Sequence, residues 1–261
     1  MGSSTRFSDI PFYPFAYHVN LYFDVQLVIP DLSIVTITYN NPAALQRTYE
    51  STAGLRAAGA VHLIQNGGKS LEFDWSDVDV KEEADNGIYD ALNRGTSRVT
   101  SRYFMLIHSG DEFVGNLDDI GEIISDMNSN GVDLSLNACI IETETGSRMM
   151  SPRLWHPWML RVGVQPPHTP TIYRTETLAR LAYDQSIPIS ADFKHFRDIF
   201  RRGHHWAKHN KLLIGMEAGG ATSSGLVSFW RVTKQMALIG GWHFALVTIL
   251  ARPILKLLFT R

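Results

Sequence analysis

Short apolar runs alternate with amphipathic stretches through the first half of the chain. The β-branched run Leu32–Thr38 predicts a buried strand that ends in the polar turn Tyr39–Pro42. Apolar positions with helical spacing follow over residues 43–57. Two further apolar runs predict buried strands at Val61–Gln65 and Tyr103–Ile107. Strands that alternate with helices of this length are typical of βαβ units, so the sequence predicts an α/β fold around a mostly parallel central sheet.

The pattern becomes less regular toward the C-terminus. Further elements are predicted over residues 87–99, 117–127, 132–138, 171–174, 175–182 and 191–202, with a hairpin or an excursion from the sheet over 139–150. Five prolines and two tryptophans between Pro152 and Pro170 indicate a stretch that is not regular throughout. Ser190 is predicted to cap the helix over 191–202, with Asp192 in its first turn.

The two ends of the chain differ from its middle. Residues 1–31 are rich in aromatic side chains, which predicts an arm that covers apolar surface or meets a partner. Residues 226–261 contain the uncharged run Met236–Ala251, followed by basic residues. This run is shorter than the roughly 20 residues of a membrane-spanning helix, so it predicts an amphipathic tail at a membrane surface. A core helix or a dimer interface is the alternative. One domain is expected between the ends, over residues 32–225.

Charge and cysteine content narrow the class of protein. The 261 residues have a formal net charge of -2, which argues against nucleic acid as the main partner. A single cysteine, Cys139, excludes an intrachain disulfide and a cysteine-only metal site, and it is compatible with a reducing cytoplasm. The N-terminus shows no secretory pattern, so we expect no leader and a cytoplasmic location.

Candidate chemistry follows the third apolar run. Ligands of open α/β sheets bind at the carboxyl ends of strands, so Asp111, in the exposed acidic loop His108–Glu112, is expected to lie where a metal ion or a phosphate is held. This placement points to an enzyme. His204, His205 and His209 suggest zinc, but without a cysteine or an acid at matching spacing we expect them to form a solvated turn.

Three segments together resemble the family-2 glycosyltransferases, most closely the branch that builds bacterial capsule, exopolysaccharide and lipopolysaccharide sugars. They are Ile34–Asn40, Glu83–Gly95 and His108–Asp111, and the middle segment is the most specific. The resemblance runs from about Leu32 to about Ser223. It implies a GT-A fold, a nucleotide-diphosphate sugar donor, a divalent cation (Mg²⁺ or Mn²⁺) and inversion at the anomeric carbon. Our own expectation is a UDP-linked donor.

The resemblance also implies roles for single residues. Asp192 is expected to be the general base that deprotonates the acceptor hydroxyl, and Asp111 the anchor of the metal ion. An acid at a helix N-terminus also stabilises the helix, and the two roles are compatible. The nucleotide sugar is expected to contact Thr38, Tyr39, Asn40, Asn66, Asp85, Asn86, Asn93, Ser109, Gly110 and His168.

The chain departs from the family pattern at two places. Ser109 stands where the first acid of a D-x-D metal loop often stands, so metal affinity from protein ligands alone should be weak. The segment Gln65–Gly68 has no acid for the base, which leaves the nucleobase open. Asp85 has an alternative role as a helix cap, and His168, in a proline-rich loop, has a structural one.

The expected protein is thus a peripheral enzyme at the inner face of the cell membrane. It would transfer a sugar from a nucleotide donor to a glycan or a lipid-linked glycan, and a homo-oligomer is an open possibility. One rival is a sugar nucleotidyltransferase, although the chain has no Gly-rich, Lys-bearing triphosphate loop near its first strand. The other rival is a non-catalytic scaffold subunit of a glycan-synthesis complex.

Overall fold

The computed structural model describes residues 28–29, 31–72, 75–143, 146–178, 181–217 and 226–241, with residues 244, 246, 249 and 250 beyond them. The predicted arm over residues 1–27 lies outside the described residues. So do residues 218–225, where the resemblance to the family ends, and most of the predicted tail after residue 241.

Nine strands of the described residues form one sheet. They are β1 Leu32–Thr38, β2 Val61–Asn66, β3 Asp79–Glu82, β4 Tyr103–Leu106, β5 Glu112–Phe113, β6 Leu134–Thr143, β7 Gly146–Met150, β8 Ile172–Arg174 and β9 Trp206–Glu217. The α-helices are α1 Pro42–Ser51, α2 Ala53–Ala57, α3 Ile88–Ser97, α4 Leu117–Ser129, α5 Thr175–Leu178, α6 Ala191–Arg201 and α7 Leu226–Gly240. Two short 3₁₀ helices, Pro152–Leu154 and Pro157–Val162, follow β7.

The strand order is β3-β2-β1-β4-β8-β6-β9-β5, with β7 paired to β6. Strands β1 to β4 are parallel, and β8 runs antiparallel between β4 and β6. Strand β6 is antiparallel to β8 and parallel to β9, so β6 and β9 run in the same direction as β1 to β4. The predicted α/β architecture with a mostly parallel sheet is confirmed.

Helices cover both faces of the sheet. Val35 and Leu106 pack with α3, α6 and α7 on one face, whereas Ile34 and Met105 pack with α2 and α4 on the other. This alternation follows from the period of two along a strand, and each such apolar side chain stabilises the fold by about 1.5–3 kcal/mol when fully buried. Since both faces are covered, the carboxyl ends of the strands are where a ligand can approach.

Several predicted elements have different bounds. The helix expected over 43–57 is two helices, separated at Thr52, whose backbone leaves the helical region (φ -91°, ψ 3°) and whose hydroxyl donates to the Thr48 carbonyl at 3.0 Å. The hairpin over 139–150 is confirmed as β6 and β7, and β6 begins earlier within the same continuous strand. Strands β3, β5 and β9 are not among the predicted elements.

The predicted solvated turn is wrong for His209, whereas His204 and the exposed His205 lie between the end of α6 and the start of β9 as predicted. Strand β9 begins at Trp206 and pairs along β6, so His209 lies inside the sheet. Its Nδ1 lies 2.8 Å from Ser135 Oγ and its Nε2 lies 3.0 Å from Asp126 Oδ2. The alternating exposed and half-buried positions of β9 resemble a loop in the sequence, because few of its side chains are fully buried.

The first part of the predicted tail is helix α7. Its Val232 and Met236 are buried in the core with Phe193 of α6. This burial agrees with the alternative prediction that this part of the tail is a core helix. Leu238 on the same helix is 69% exposed. Within the described residues, we find no helix with the length and apolarity needed to span a bilayer.

Candidate functional site

The ends of β1, β2 and β4 meet at one edge of the sheet. Thr38, at the end of β1, donates a hydrogen bond to Ser109 Oγ at 3.3 Å, which joins the loops after β1 and β4. Asn40 has a left-handed backbone (φ 52°), and its Oδ1 accepts from the Lys69 amide at 2.8 Å. The structure therefore brings Thr38, Asn40 and Ser109 together, with Tyr39 exposed beside them.

Asn66 shapes the loop after β2. Its Nδ2 donates to the Lys69 carbonyl at 2.7 Å, and its Oδ1 accepts from the Gly68 amide at 3.0 Å. Glu82, at the end of β3, closes the same loop by accepting from the Leu71 amide at 2.6 Å. Because both ends of the Asn66 amide are engaged within the loop, its contact with a nucleotide stays a prediction.

Asp85 lies directly over the loop after β2. A Cβ at Gly67 would lie 1.7 Å from Asp85 Oδ2, so only glycine allows this approach. Asp85 Oδ1 accepts from the Gly87 amide at 2.9 Å, ahead of α3. The N-cap residue of α3 is Gly87, and no side chain caps this helix. The alternative prediction that Asp85 caps α3 is therefore wrong, because Asp85 lies two positions before the N-cap. Asn86 bonds instead to Asp90 Oδ2 through its amide N–H, at 2.9 Å.

We expect Gly67→Ala to weaken nucleotide binding by displacing the Asp85 carboxylate. The new Cβ would overlap Oδ2, and the flexible side chain of Asp85 can rotate away, so stability should fall only modestly. Calorimetric titration with a nucleotide would give the affinity, and thermal melting the stability. Gly54→Ala, in α2 with open space around its Cβ, is the matched control and should leave both unchanged or raise stability slightly. Unchanged affinity in Gly67→Ala would contradict the prediction.

Helix α1 holds the loop after β4. Thr48 accepts a hydrogen bond from the Gly110 amide at 2.9 Å and donates to the Asp111 carbonyl at 2.7 Å. Gly110 has φ 101°, a conformation that favours glycine. The predicted exposed acidic loop is therefore wrong for Asp111 itself, because Thr48 draws the loop against α1 and leaves Asp111 only 8% exposed.

The Asp111 carboxylate has an unusual environment. Burial raises the pKa of Asp111 to about 7, and the nearby charge of Glu217 adds to this effect. Its Oδ2 is buried and has no hydrogen-bond partner among the described residues. A divalent cation is a partner that suits such an oxygen, so Asp111 fits the predicted role of metal anchor.

Asp111 stands alone as an anchor. Within the described part of the chain, no group of three or more His, Cys, Asp and Glu side chains is arranged to hold a metal ion. His204 lies 3.4 Å from Asp133, and His209 contacts Asp126, so these histidines engage separate carboxylates. Other ligands of a cation at Asp111 would have to come from a bound phosphate or water.

Asp192 lies in the first turn of α6 and is held by two side chains. Tyr89 donates to its Oδ1 at 3.1 Å, and Gln165 Nε2 donates to its Oδ2 at 2.5 Å. Burial raises the pKa of Asp192, while both hydrogen bonds oppose this by stabilising the ionised form. Ser190 occupies the predicted N-cap position of α6, but its side chain makes no cap bond, and Gln235 of α7 accepts from the Ser190 amide at 2.9 Å.

Aromatic and histidine side chains connect the Asp111 loop with Asp192. His108 stacks on His168 at 6.1 Å between ring centroids, and His168 Nε2 lies 2.8 Å from the Tyr183 hydroxyl. Tyr183 stacks on Tyr89, the partner of Asp192, at 5.6 Å. Burial lowers the pKa of His168 to about 4 and that of His108 to about 3, so both rings are neutral at pH 7. A neutral His168 offers hydrogen bonds rather than charge to a ligand.

Asn93 holds this cluster in place. Its amide donates to the Tyr183 carbonyl at 2.9 Å and accepts from the Tyr183 amide at 2.7 Å. Both ends of the side chain are therefore occupied by backbone, so the predicted contact of Asn93 with the nucleotide sugar is not visible in this geometry. Its observed task is to fix Tyr183.

Sequence reasoning missed the residues that position the site. These are Thr48, Tyr89, Gln165, Tyr183 and Gln235. Tyr89 lies within the segment Glu83–Gly95 that carries the resemblance, so that segment contained a signal. Nothing in the sequence pairs Tyr89 with a carboxylate 103 positions away.

Comparisons with known proteins support the fold. No family profile matches the chain. Two *Mycobacterium tuberculosis* sequences, each named an uncharacterized glycosyltransferase, are 27% identical over 177 residues, covering 62% of this chain and 66% of theirs. The chain therefore spans just under two thirds of the length of these curated relatives.

Solved structures share the architecture at low sequence identity. *S. aureus* TarS 1–349 in complex with UDP-GlcNAc has a TM-score of 0.59 at 14% identity, over 80% of this chain and 65% of that one. *M. tuberculosis* glucosyl-3-phosphoglycerate synthase with Mn²⁺ and UDP has 0.57 at 14%, over 80% and 78%. The *Pyrobaculum calidifontis* mannosyltransferase PcManGT with GDP-Man and Mn²⁺ has 0.53 at 12%, over 89% and 82%. The GT-A fold and the resemblance to glycosyltransferases are confirmed.

Proposed function

We propose that the chain is an inverting glycosyltransferase that moves a sugar from a nucleotide-diphosphate donor, of the UDP type, to an acceptor hydroxyl. The observation that carries the proposal is a pair of carboxylates whose pKa is raised by burial, the buried Asp111 and the half-buried Asp192, at the two ends of one aromatic and histidine cluster. Perturbed carboxylates of this kind gather at catalytic sites. The relatives named glycosyltransferases, and the solved structures that hold UDP, support the donor class.

Asp192 is the proposed general base. Its ionised carboxylate takes the proton of the acceptor hydroxyl as the acceptor oxygen bonds to the anomeric carbon and the bond to the nucleoside diphosphate breaks. Tyr89 and Gln165 fix the carboxylate through one hydrogen bond to each oxygen, so its orientation is set before the acceptor arrives. One displacement with one base gives inversion.

Asp111 is the proposed anchor of a divalent cation, Mg²⁺ or Mn²⁺. Such an ion, when bound, neutralises charge on the departing diphosphate. The solved glucosyl-3-phosphoglycerate synthase and PcManGT structures contain Mn²⁺, which supports this assignment. The loops after β1, β2 and β4, with Asp85 above them, form the proposed nucleoside site. Thr38, Tyr39, Asn40, Asn86, Ser109, Gly110 and His168 complete the proposed contacts to the donor.

The proposed acceptor is a glycan or a lipid-linked glycan of bacterial surface polysaccharide, handled at the inner face of the cell membrane. Support comes from the exposed leucines of the tail, Leu238, Leu246 and Leu250, which a bilayer surface or a second copy of the chain would cover. A homo-oligomer is thus the second possible arrangement of the tail.

A thermal-shift panel of nucleotide sugars tests the donor site. Ligand at 100 times its Kd should stabilise the fold by about 2.7 kcal/mol, roughly a 5–10 °C rise in Tm, with Mn²⁺ or Mg²⁺ and not with chelator. Release of sugar without acceptor would establish transfer to water. Pyrophosphate release from a nucleoside triphosphate would instead indicate the nucleotidyltransferase. Absence of any nucleotide response would favour the scaffold subunit.

A further inference from the structure

Residues 151–161, here called the 151–161 loop, have an inner and an outer face. Trp155 and Leu160 are buried on the inner face. Trp155 packs on Phe200 of α6, with 5.1 Å between the ring centroids, and its Nε1 donates to the Val164 carbonyl at 3.0 Å. On the outer face Leu154 is 75% exposed and Trp158 is 53% exposed. Because the inner face is anchored, the outer face presents two large apolar side chains to solvent in a fixed arrangement.

The outer face is also basic. Arg153 and Arg161 are exposed, and neither forms an ion pair with any acid of the described residues. The sequence has no Asp or Glu from Gly146 to Thr175, although the whole chain has a net charge of -2. Lys208 of β9 adds a further positive charge beneath the loop, because its Nζ donates to the Arg153 and Trp155 carbonyls at 3.2 Å. The local charge is therefore opposite to that of the chain as a whole.

We infer that the outer face of the 151–161 loop docks on an anionic phospholipid surface. Tryptophan and leucine enter the boundary between headgroups and acyl chains, while arginines beside them bind the lipid phosphates. Exposed Trp158 and Leu154 supply the apolar insertion, and the arginines beside them, which have no ion pair among the described residues, supply the phosphate binding on the same short segment. This surface belongs to a different segment of the chain from α7, so variants of the loop and of α7 test the two surfaces independently.

The loop leads directly to the proposed base. The chain continues from Arg161 through Val164 to Gln165, whose Nε2 donates to Asp192. A docked loop would therefore hold the Asp192 carboxylate close to the lipid plane. The acceptor class that follows is a sugar or glycan carried on a membrane lipid, a step that rests on the proposed function, whereas the docking itself does not.

Sedimentation of the full chain with vesicles tests this inference. We expect binding to phosphatidylcholine vesicles that contain phosphatidylglycerol, and little binding to phosphatidylcholine alone. Arg153→Gln and Arg161→Gln should each weaken partitioning about fivefold. Leu154→Ser and Trp158→Ser should each weaken it about tenfold or more, through loss of inserted apolar surface. Added salt should weaken wild-type binding in the same direction as the arginine variants.

Two matched variants separate the alternatives. Val61→Ser removes an apolar side chain, 41% exposed, at the start of β2, away from the carboxyl ends of the strands, and should bind vesicles like wild type. Leu238→Ser tests the tail. Loss of binding in Leu238→Ser with unchanged binding in the loop variants would overturn the inference, as would no vesicle binding by wild type or equal binding to neutral vesicles. The nucleotide thermal shift of each variant reports folding and the donor site separately.

Discussion

Replacing Asp192 by Asn is expected to lower kcat by about 10²- to 10⁴-fold while leaving the donor affinity nearly unchanged. The amide keeps the size of the carboxylate but cannot take a proton from the acceptor hydroxyl. Its partners are Tyr89 of α3 and Gln165 in the loop before β8, and neither contacts the Gly67 and Asp85 pair through a hydrogen bond among the described residues. Initial rates with saturating donor, and the nucleotide thermal shift, measure the two effects.

Asp198→Asn is the matched control. Asp198 lies in the same helix, and its carboxylate pairs with Lys194 at 2.7 Å rather than with the cluster around Tyr89. Its replacement should leave kcat within a few-fold of wild type. If Asp192→Asn retained wild-type turnover, or if Asp198→Asn lost as much, the assignment of the base would fail.

The pH profile gives a sharper test of the same carboxylate. Only the ionised form acts as a base, and burial already raises the pKa of Asp192, so the rate should fall as the pH drops through this raised value. Tyr89→Phe and Gln165→Leu each remove a hydrogen bond that favours the ionised form. Each should therefore move the acidic limb to higher pH, by about one to two units. A merely structural role would lower the rate without moving the limb.

Replacing Asp111 by Asn is expected to abolish the metal-dependent part of donor binding. Among the described residues nothing donates to the buried Oδ2, and an amide is a much poorer ligand for a hard cation than this carboxylate. The nucleotide thermal shift with Mn²⁺ should fall to its value with chelator. Glu112→Gln is the control, because Glu112 is half-buried, lies 3.5 Å from Arg47 and is not the proposed anchor.

The same substitution should stabilise the metal-free fold near pH 8. Burial raises the pKa of Asp111 from 3.8 to about 7, so between these values the folded state binds more protons than the unfolded one. Stability from this group is therefore full below about pH 4 and is lost as pH rises through about 7, by on the order of 4 kcal/mol. The neutral amide removes this loss. A lower Tm for metal-free Asp111→Asn at pH 8 would contradict the assignment of a buried carboxylate whose ionised form destabilises the fold.

Sequence patterns predicted the centre of the sheet and missed its periphery, for a physical reason. Strand β1 matches its predicted bounds because nearly all of its residues are buried, which requires a continuous apolar run. Strand β3 has mostly exposed positions and β5 has two residues, so neither leaves such a run. An apolar run in the sequence indicates a buried strand. A strand at the edge of the sheet, paired through its backbone with few buried side chains, produces no such run.

The site shows a similar division. Asp111 was predicted from its place after a buried strand, a local relation that the sequence displays. The partners of Asp192 lie 27 and 103 positions away, and hydrogen bonds of this range leave no local pattern. The position of Asn93 in a recognisable segment suggested a ligand contact, which stays a prediction, and the sequence did not show that its amide bonds to the Tyr183 backbone.

Insertion of β8 between β4 and β6 has a consequence for synthesis on the ribosome. Strand β4 emerges with β1 and β2 on one side, but its other edge has no partner until residues 172–174 follow. At about 5–20 residues per second, the nascent chain displays this apolar edge for several seconds. Strand β5, which follows Asp111, remains unpaired for longer still, because its partner is residues 214–215 of β9. Chains stalled between these points are therefore expected to be clients of cotranslational chaperones, and a fragment that ends before β9 should not retain the donor site.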